Sequence, residues 1–198
     1  MKAKNTLVIL IGISIILSFS FLIYLFKAET RTNPLPILGQ VPDFQLYDSN
    51  GQEFNSSNLK GKVWVADFIF TSCGGICPIM TKNMAQLQRS FQMMNDAHFV
   101  SFSVNPDYDS PAGLNGFAKK YNADTRNWHF LTGQRDAITH LTVQGFKMGS
   151  IDEPIFHSAK FALVDQGMRI RGYYEGTESS EIAKLFKDMA NLMKEKTK

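Results

Sequence analysis

Residues 63–80 read Val-Trp-Val-Ala-Asp-Phe-Ile-Phe-Thr-Ser-Cys-Gly-Gly-Ile-Cys-Pro-Ile-Met, and this run is the most informative part of the chain. Its first part, Val63–Phe70, is apolar on both alternating faces except at Asp67, which is typical of a central strand covered on both sides. Two cysteines and two glycines follow, and Pro78 suits the first position of a helix. The run therefore predicts a buried strand that passes through a cysteine corner into a helix.

Strand and helix patterns alternate along the rest of the chain. The expected elements are a hairpin at 44–54, a strand at 98–104, a helix at 111–121, a strand at 128–131, a helix at 135–141, a hairpin at 159–174 and a helix at 178–193. Strand–helix–strand units followed by a hairpin and a helix predict an α/β fold, with a mixed central sheet flanked by helices. Because a cysteine pair lies at the first strand-to-helix corner, the thioredoxin-like arrangement fits this pattern best.

The N-terminal segment has the features of a membrane anchor. From Thr6 to Phe26 the chain carries no charge over about 21 residues, roughly the length that a helix needs to cross a membrane. Lys2 and Lys4 precede this run, and no convincing small-residue cleavage site follows it, which favours an anchor over a cleaved signal peptide. We expect residues 1–27 to form a membrane anchor with a transmembrane helix, residues 28–40 a tether, and residues 41–198 the thioredoxin-like domain.

The anchor and the distribution of charge restrict the location and the partners of the domain. The expected location is the inner (cytoplasmic) membrane, crossed once, with the C-terminal domain on the exported, periplasmic side. The net charge is +3, but residues 1–27 carry three lysines and no acid, so the rest has 18 basic and 18 acidic residues. A nucleic-acid-binding domain needs a basic surplus on its folded part, so we expect no nucleic-acid partner.

Cys73 and Cys77 are the only cysteines of the chain. Two cysteines in an exported protein often form a structural disulfide, but a bridge around so small a loop adds little stability. Their position at a helix N-terminus, where N–H groups and the helix dipole stabilise a thiolate, favours a chemically active pair. Two chemistries stay open, namely thiol–disulfide exchange and the binding of a soft metal ion such as Cu(I) or Zn(II).

A copper site would need a ligand besides the two thiolates. Two sulfurs do not complete a tetrahedral zinc site, whereas two sulfurs and one imidazole suit the low coordination number of copper. His98, His129 and His140 fall at a strand start, within a short strand and at a helix end, and all three have structural interpretations. His157 falls in a loop before the last hairpin, from which it can reach the cysteine corner. Spacing alone favours His157 and leaves the other three open.

Asp67 lies six residues before Cys73 in an otherwise apolar strand. This is the spacing of the buried aspartate that precedes the cysteine corner in thioredoxins. Burial would raise the pKa of the carboxyl group and let it accept a proton from Cys77. An equally weighted alternative is a carboxylate at a sheet edge, bonded to backbone or solvent.

Two further interpretations concern the residues around the pair. Met80, Met84, Met93 and Met94 recur at helical spacing, which is more typical of core packing than of thioether copper ligands. The segment Thr71–Cys73 could hold the reactive cysteine of a peroxidase, although Cys77 and the His157 loop disfavour this assignment.

The run Asp67–Met80 resembles the cysteine corner of the Sco/SenC family of membrane-anchored copper-binding proteins. The likeness continues in order over residues 41–193, through 102–106, 109–111, 128–133, His157-Ser158 and 163–167. The resemblance implies a thioredoxin-like fold that binds copper through Cys73, Cys77 and His157. Asn105, where many members have Asp, and Gly74-Gly75 between the cysteines depart from the family pattern.

The resemblance also implies a function. It points to a copper chaperone rather than an enzyme, with Cu(I) as the metal and Cu(II) as an alternative. The expected partners are the copper-site subunit of cytochrome c oxidase, whose binuclear centre would receive copper or have its cysteines reduced, and a thiol reductant or another copper chaperone. A membrane-anchored thiol–disulfide oxidoreductase without copper and a redox or copper sensor stay open, because all three functions use the same cysteine pair.

Overall fold

The computed structural model describes residues 12–22, 34–149 and 159–195. The chain divides into two units, Met1–Pro34 and Leu35–Lys198. In the first unit, residues 12–22 are helical and are named α1. No helix among the described residues has both the length and the hydropathy of a membrane span. The anchor predicted for residues 1–27 and the tether predicted for residues 28–40 lie in part outside the described residues.

The described part of the second unit contains one eight-stranded mixed sheet with helices on its faces. The strands are β1 Gly39–Gln40, β2 Gln45–Asp48, β3 Glu53–Asn55, β4 Val63–Ile69, β5 Ala97–Ser103, β6 Trp128–Thr132, β7 Lys160–Val164 and β8 Arg169–Glu175. The helices are α2 Cys77–Ser90, α3 Pro111–Lys120, α4 Arg135–His140 and α5 Ser179–Leu192. These elements confirm the predicted order of strands and helices.

The strand order is β1-β8-β7-β4-β5-β6-β2-β3. The pairs β4–β5 and β5–β6 are parallel, and the other pairs are antiparallel. The mixed sheet of a thioredoxin-like fold is therefore confirmed. Because parallel strands run in the same direction, the ends of β4 and β5 meet at one edge of the sheet, where the cysteine corner begins.

Strand β4 contributes to a hydrophobic core on each face of the sheet. Val65 and Ile69 pack in the first core, which residues of α2, α3 and α5 complete. Trp64 and Phe68 pack in the second core, to which α4 and the turn after it contribute. All seven residues of β4 are buried, as expected from its apolar character on both faces.

The first strand of the domain lies within the predicted tether. Gly39–Gln40 pairs with β8, and the Leu38 N–H donates to the Ile170 carbonyl oxygen at 2.8 Å. The Arg171 guanidinium donates to the carbonyl oxygens of Leu35, at 2.6 Å, and Pro36, at 3.1 Å. These contacts are made by backbone atoms, so the side-chain pattern of the segment gave no indication of them.

Candidate functional site

Cys73 and Cys77 lie between the end of β4 and the first turn of α2. Cys77 is the first residue of α2 and is fully buried in the first core, whereas Cys73 is partly exposed at the edge of that core. Both side chains are thiols, and no disulfide joins them. The first turn of α2 has no acidic residue and no side-chain cap, so no side chain of that turn occupies its N–H groups. The fold thus places both sulfurs at the helix N-terminus, as the sequence predicted.

The two thiols differ strongly in acidity. Burial raises the pKa of Cys73, but hydrogen bonds from the Cys77 thiol and from the N–H groups of Cys77, Gly75 and Ile76 bring this pKa below its ordinary value. Burial, followed by the hydrogen bond to Cys73, raises the pKa of Cys77 to about 12. The pair therefore combines an accessible group that readily forms a thiolate with a buried thiol that keeps its proton.

Asp67 is completely buried on the central strand. Its side chain faces the first core, because the neighbouring residues Ala66 and Phe68 face the second. Within the described residues neither carboxylate oxygen has a hydrogen-bond partner of good geometry. Burial raises the pKa of Asp67 to about 7, and the nearby Ser101 hydroxyl lowers it by less. The carboxylate is close enough to Cys77 to be among the causes that raise the pKa of that thiol.

The alternative that placed Asp67 at a sheet edge is wrong. Strand β4 lies between β7 and β5, and Asp67 is in register with Ser101 of β5. A buried carboxyl group that has no hydrogen bond of good geometry among the described residues is costly, and such groups are concentrated at functional sites.

Asp109 is a residue of the site that sequence reasoning missed. Its buried carboxylate accepts hydrogen bonds from the Thr71 N–H at 3.1 Å, from the Thr71 hydroxyl, and from the Ser103 hydroxyl at 2.6 Å. Thr71 lies two residues before Cys73, and Ser103 is the last residue of β5. Asp109 therefore ties the cysteine loop to the end of β5. Its partner Thr71 lies 38 residues away, a separation at which sequence periodicity carries no information.

The candidate histidines lie in different places. His98 on β5 and His129 on β6 stack with ring centroids 5.4 Å apart, and their facing nitrogens are 3.2 Å apart. Both rings lie on the face of the second core, as His129 also packs against Phe54 at 4.7 Å. His140 ends α4, whose buried residue Ile138 packs in the same core. None of these three lies on the face of the sheet that carries Cys77, and their structural interpretations are favoured.

The predicted ligand His157 lies outside the described residues. Within the described ranges, no cluster of three or more histidine, cysteine, aspartate or glutamate side chains could hold a metal ion. The described part of the site thus supplies the two cysteines, and the third ligand stays a prediction.

Of the four methionines that follow the cysteine pair, two are buried and two are exposed. Met80 and Met84 are fully buried in the first core, as predicted, whereas Met93 and Met94 are 88% and 45% exposed. The core interpretation of Met93 and Met94 is wrong because α2 ends at Ser90, before either residue.

A Cβ atom added at Gly74 or Gly75 would meet no other described atom within 4 Å. Among the described residues, crowding therefore does not require glycine at these two positions.

The chain matches the model of the SCO1/SenC family over residues 38–194. It is 34% identical over 160 residues to the SCO1 protein homolog of Bacillus subtilis (strain 168), with 78% of this chain and 83% of that protein covered. The solved structure of BsSco, titled for a disulfide switch in a member of the Sco family of cytochrome c oxidase assembly proteins, is 33% identical. Its TM-score is 0.72, with 82% of this chain and 98% of that chain covered. A Stutzerimonas stutzeri protein named for copper binding is 28% identical and covers 70% of this chain and 71% of its own length.

Proposed function

Because the chain belongs to the SCO1/SenC family, we propose that it is a copper chaperone that carries copper, as cargo, to the copper-site subunit of cytochrome c oxidase. The names of its relatives support both parts of this proposal, since one is named for copper binding and another for cytochrome c oxidase assembly. The observation that carries the proposal is the pair of thiols of unequal acidity at the start of α2.

The donor set fits Cu(I). Two sulfurs are soft ligands, and Cu(I) accepts a low coordination number that zinc does not. Cys73 offers a sulfur already stabilised as a thiolate, whereas Cys77 must release its proton when copper binds. His157 is proposed as the third ligand and Cu(I) as the state carried. Residues 1–27 are proposed to anchor the domain on the exported side of the membrane, where a thiol reductant or another copper chaperone would restore the site.

An anaerobic titration of the full chain in detergent with Cu(I), against a chromophoric competitor, tests this function. We expect one Cu(I) per reduced chain and none per oxidised chain, because a Cys73–Cys77 disulfide offers no thiolate. His157→Ala should weaken binding at least ~10-fold, equivalent to about 1.4 kcal/mol. His140→Ala is the matched control, since His140 is exposed at the end of α4, and it should bind as the natural chain does. Tight stoichiometric copper on the oxidised chain would refute the proposal.

Asp67 favours a second candidate function, thiol–disulfide reduction. In this reaction the Cys73 thiolate attacks a disulfide of the partner and displaces one sulfur as a thiolate. Cys77 then passes its proton to Asp67 and attacks the Cys73 sulfur of the mixed disulfide. This step releases the second partner thiolate and leaves a Cys73–Cys77 disulfide, so that two electrons pass to the partner. A carboxyl group with a pKa near 7 is suited to accept that proton.

A further inference from the structure

A groove between α2 and the end of α3 begins beside the cysteine pair. It encloses about 460 Å³ and is open to solvent. Its walls are formed by Pro78, Lys82, Ala85 and Arg89 of α2 and by Lys120, Tyr121 and Asn122 at the end of α3. Because Pro78 directly follows Cys77, one end of this α2–α3 groove lies next to the first turn that holds the sulfurs.

The α2–α3 groove carries a concentrated positive charge. Lys82, Arg89 and Lys120 are exposed, and no acidic residue is among the lining residues. In the part of the chain that the structure describes, none of these three cations has a carboxylate within ion-pair distance. Cations that do have one are Lys60, Arg126, Arg135, Lys160, Arg169, Arg171 and Lys184. Since residues 28–198 carry equal numbers of basic and acidic residues, this charge is a local arrangement and not a general surplus.

Tyr121 connects the groove with the cysteine corner. Its ring packs at the edge of the first core, as the side chains of Cys73 and Ile76 also do. Burial, and then the charges of Cys77 and Cys73, raise the pKa of Tyr121, so its phenol lies within electrostatic range of both sulfurs. The Lys120 ammonium lies 5.7 Å from the centre of the Tyr121 ring. An extended chain in the groove would therefore lead from the cations toward Cys73.

The opposite flank of α2 does not share this character. A second groove there, between α2 and α5, has one cation among its lining residues, Lys187, and an apolar wall that includes Leu87, Ile182 and Phe186. The same helix thus presents a basic flank beside α3 and a mostly neutral flank beside α5. The basic flank is the one bordered by Tyr121.

We propose that the α2–α3 groove docks an acidic, extended segment of the partner protein that exchanges sulfur bonds or copper with Cys73. This inference rests on the proposed function for the reactivity of Cys73, and it adds the chemistry by which the partner is recognised. Carboxylates in the groove would complement Lys82, Arg89 and Lys120, and their main effect would be a faster, oriented encounter. The volume of the groove suits a few side chains of an extended segment, not a folded domain.

The test uses the full reduced chain in detergent and two synthetic peptides that differ only in four glutamates replaced by glutamines. Each peptide carries one cysteine as a mixed disulfide with thiopyridine. The Cys73 thiolate attacks the peptide sulfur and displaces thiopyridone, whose absorbance gives the rate. Cys77 then displaces the peptide thiol and forms the Cys73–Cys77 disulfide. At low salt we expect the glutamate peptide to react about 10-fold faster, and at ~1 M salt, where charges are screened beyond about 3 Å, the two rates should converge.

Two triple variants locate the effect. Lys82→Gln, Arg89→Gln and Lys120→Gln together should bring the ratio of the two peptide rates at low salt close to one. The matched control replaces Lys147, Lys187 and Lys194 by glutamine, three exposed cations that do not line the groove, and should keep the preference. Equal rates for both peptides on the natural chain, or equal loss of preference in both triple variants, would overturn the proposal.

A binding measurement separates this proposal from the proposed function. Fluorescence anisotropy with a cysteine-free glutamate peptide reports docking without any reaction at Cys73. Binding that the groove variant loses supports the groove even if Cys73 proves unreactive, an outcome that would count against the proposed function alone. Absence of binding while both peptides react at equal rates would overturn the groove and leave the function intact. Binding to anionic lipid vesicles that the groove variant loses and the control variant keeps would also overturn it, because the groove cations would then recognise a membrane.

Discussion

Two aspartates of this protein have side chains closed off from solvent, but they differ in their hydrogen bonds and in their pKa. Asp67 on β4 and Asp165 after β7 are both 0% exposed. Asp165 accepts hydrogen bonds from Arg171 and Arg169, each at 2.8 Å, and from the N–H groups of Gly167 and Arg169. Burial raises the pKa of Asp165, but the hydrogen bonds of Arg171 and Arg169 outweigh it and hold this pKa below its ordinary value.

The difference separates a structural carboxylate from a chemical one. Through Arg171, Asp165 helps to fix the chain that enters the domain at Leu35 and Pro36. Asp67 has no comparable partners in the described chain, and burial raises its pKa to about 7, beside the thiol of Cys77. Burial alone therefore does not identify a reactive group, and the number of hydrogen bonds distinguishes the two aspartates.

The largest expected effect on stability comes from the structural carboxylate. Asp165→Asn should lower the free energy of unfolding by about 3–5 kcal/mol, because the buried Arg171 guanidinium loses the carboxylate at 2.8 Å and keeps only that of Glu195, at 3.6 Å. Denaturant unfolding measures this loss. Asp43→Asn, which removes the partner of the exposed Lys60, is the control and should cost less than about 1 kcal/mol. Equal losses in the two variants would contradict the structural role of Asp165.

Asp67→Asn should raise the free energy of unfolding at neutral pH, whereas Asp165→Asn lowers it. With a pKa of about 7, the folded carboxyl group keeps a proton that the unfolded chain releases near pH 4, so stability should fall as the pH rises from 4 to 7. Between pH 5 and 8 this fall amounts to about 3 kcal/mol, and Asp67→Asn should remove it. The measurement is denaturant unfolding of both chains across that range. Parallel pH profiles for the natural chain and Asp67→Asn would contradict a raised pKa of Asp67.

A smaller effect on stability is expected at Asp109. Like Asp165 it accepts several hydrogen bonds, but its partner Thr71 belongs to the cysteine loop. Asp109→Asn should cost about 1–2 kcal/mol of unfolding free energy, since the amide keeps an acceptor but loses the charge that strengthens these bonds. Because Thr71 then loses part of its anchor, the pH profile for alkylation of Cys73 should shift as well. Ser103→Ala is the control, since it removes one donor to Asp109 and the acceptor of the Asn105 N–H but leaves the Asp109 charge in place. A stability loss with an unchanged alkylation profile would limit Asp109 to a structural role.

The smallest effects on stability are expected for alanine at Gly74, in the cysteine loop, and at Gly167, two residues after Asp165. Gly74→Ala should change stability by less than about 0.5 kcal/mol, since the added methyl group meets no described atom within 4 Å. At Gly167 the added Cβ would lie 3.3 Å from Arg169 Nε and 3.4 Å from Asp165 Oδ1, so Gly167→Ala should cost about 1 kcal/mol. Thermal unfolding of the two variants measures the difference. Equal costs would mean that the cysteine corner is as tightly packed as the Asp165 end.

The parts of the fold that sequence predicted are those with a local pattern. The two-sided apolar run of β4, the periodic apolar residues of α2 and α5, and Pro78 after Cys77 each carry their meaning within one element. The position of the cysteine pair at the strand-to-helix corner follows from them. This explains why the α/β class, the order of elements and the location of the pair could all be inferred before the structure.

Other features depend on contacts between distant segments. Whether Asp67 is central or at an edge is decided by β7, which joins β4 almost one hundred residues later in the chain. The bond between Asp109 and Thr71 and the contacts of Arg171 with Leu35 and Pro36 have no periodic signature. Sequence could therefore name Asp67 as a candidate, but it could not show that the carboxyl group is buried between two strands with no well-formed hydrogen bond to the described residues.

The most direct test of the copper-chaperone function is oxidase activity under low copper, in cells that depend on the His157→Ala or the Asp67→Asn chain. If the chain is a copper chaperone, His157→Ala should lose oxidase assembly, because its copper affinity falls, and Asp67→Asn should keep most of it. Full oxidase activity with His157→Ala and failure with Asp67→Asn would contradict the chaperone and establish the reductase in its place.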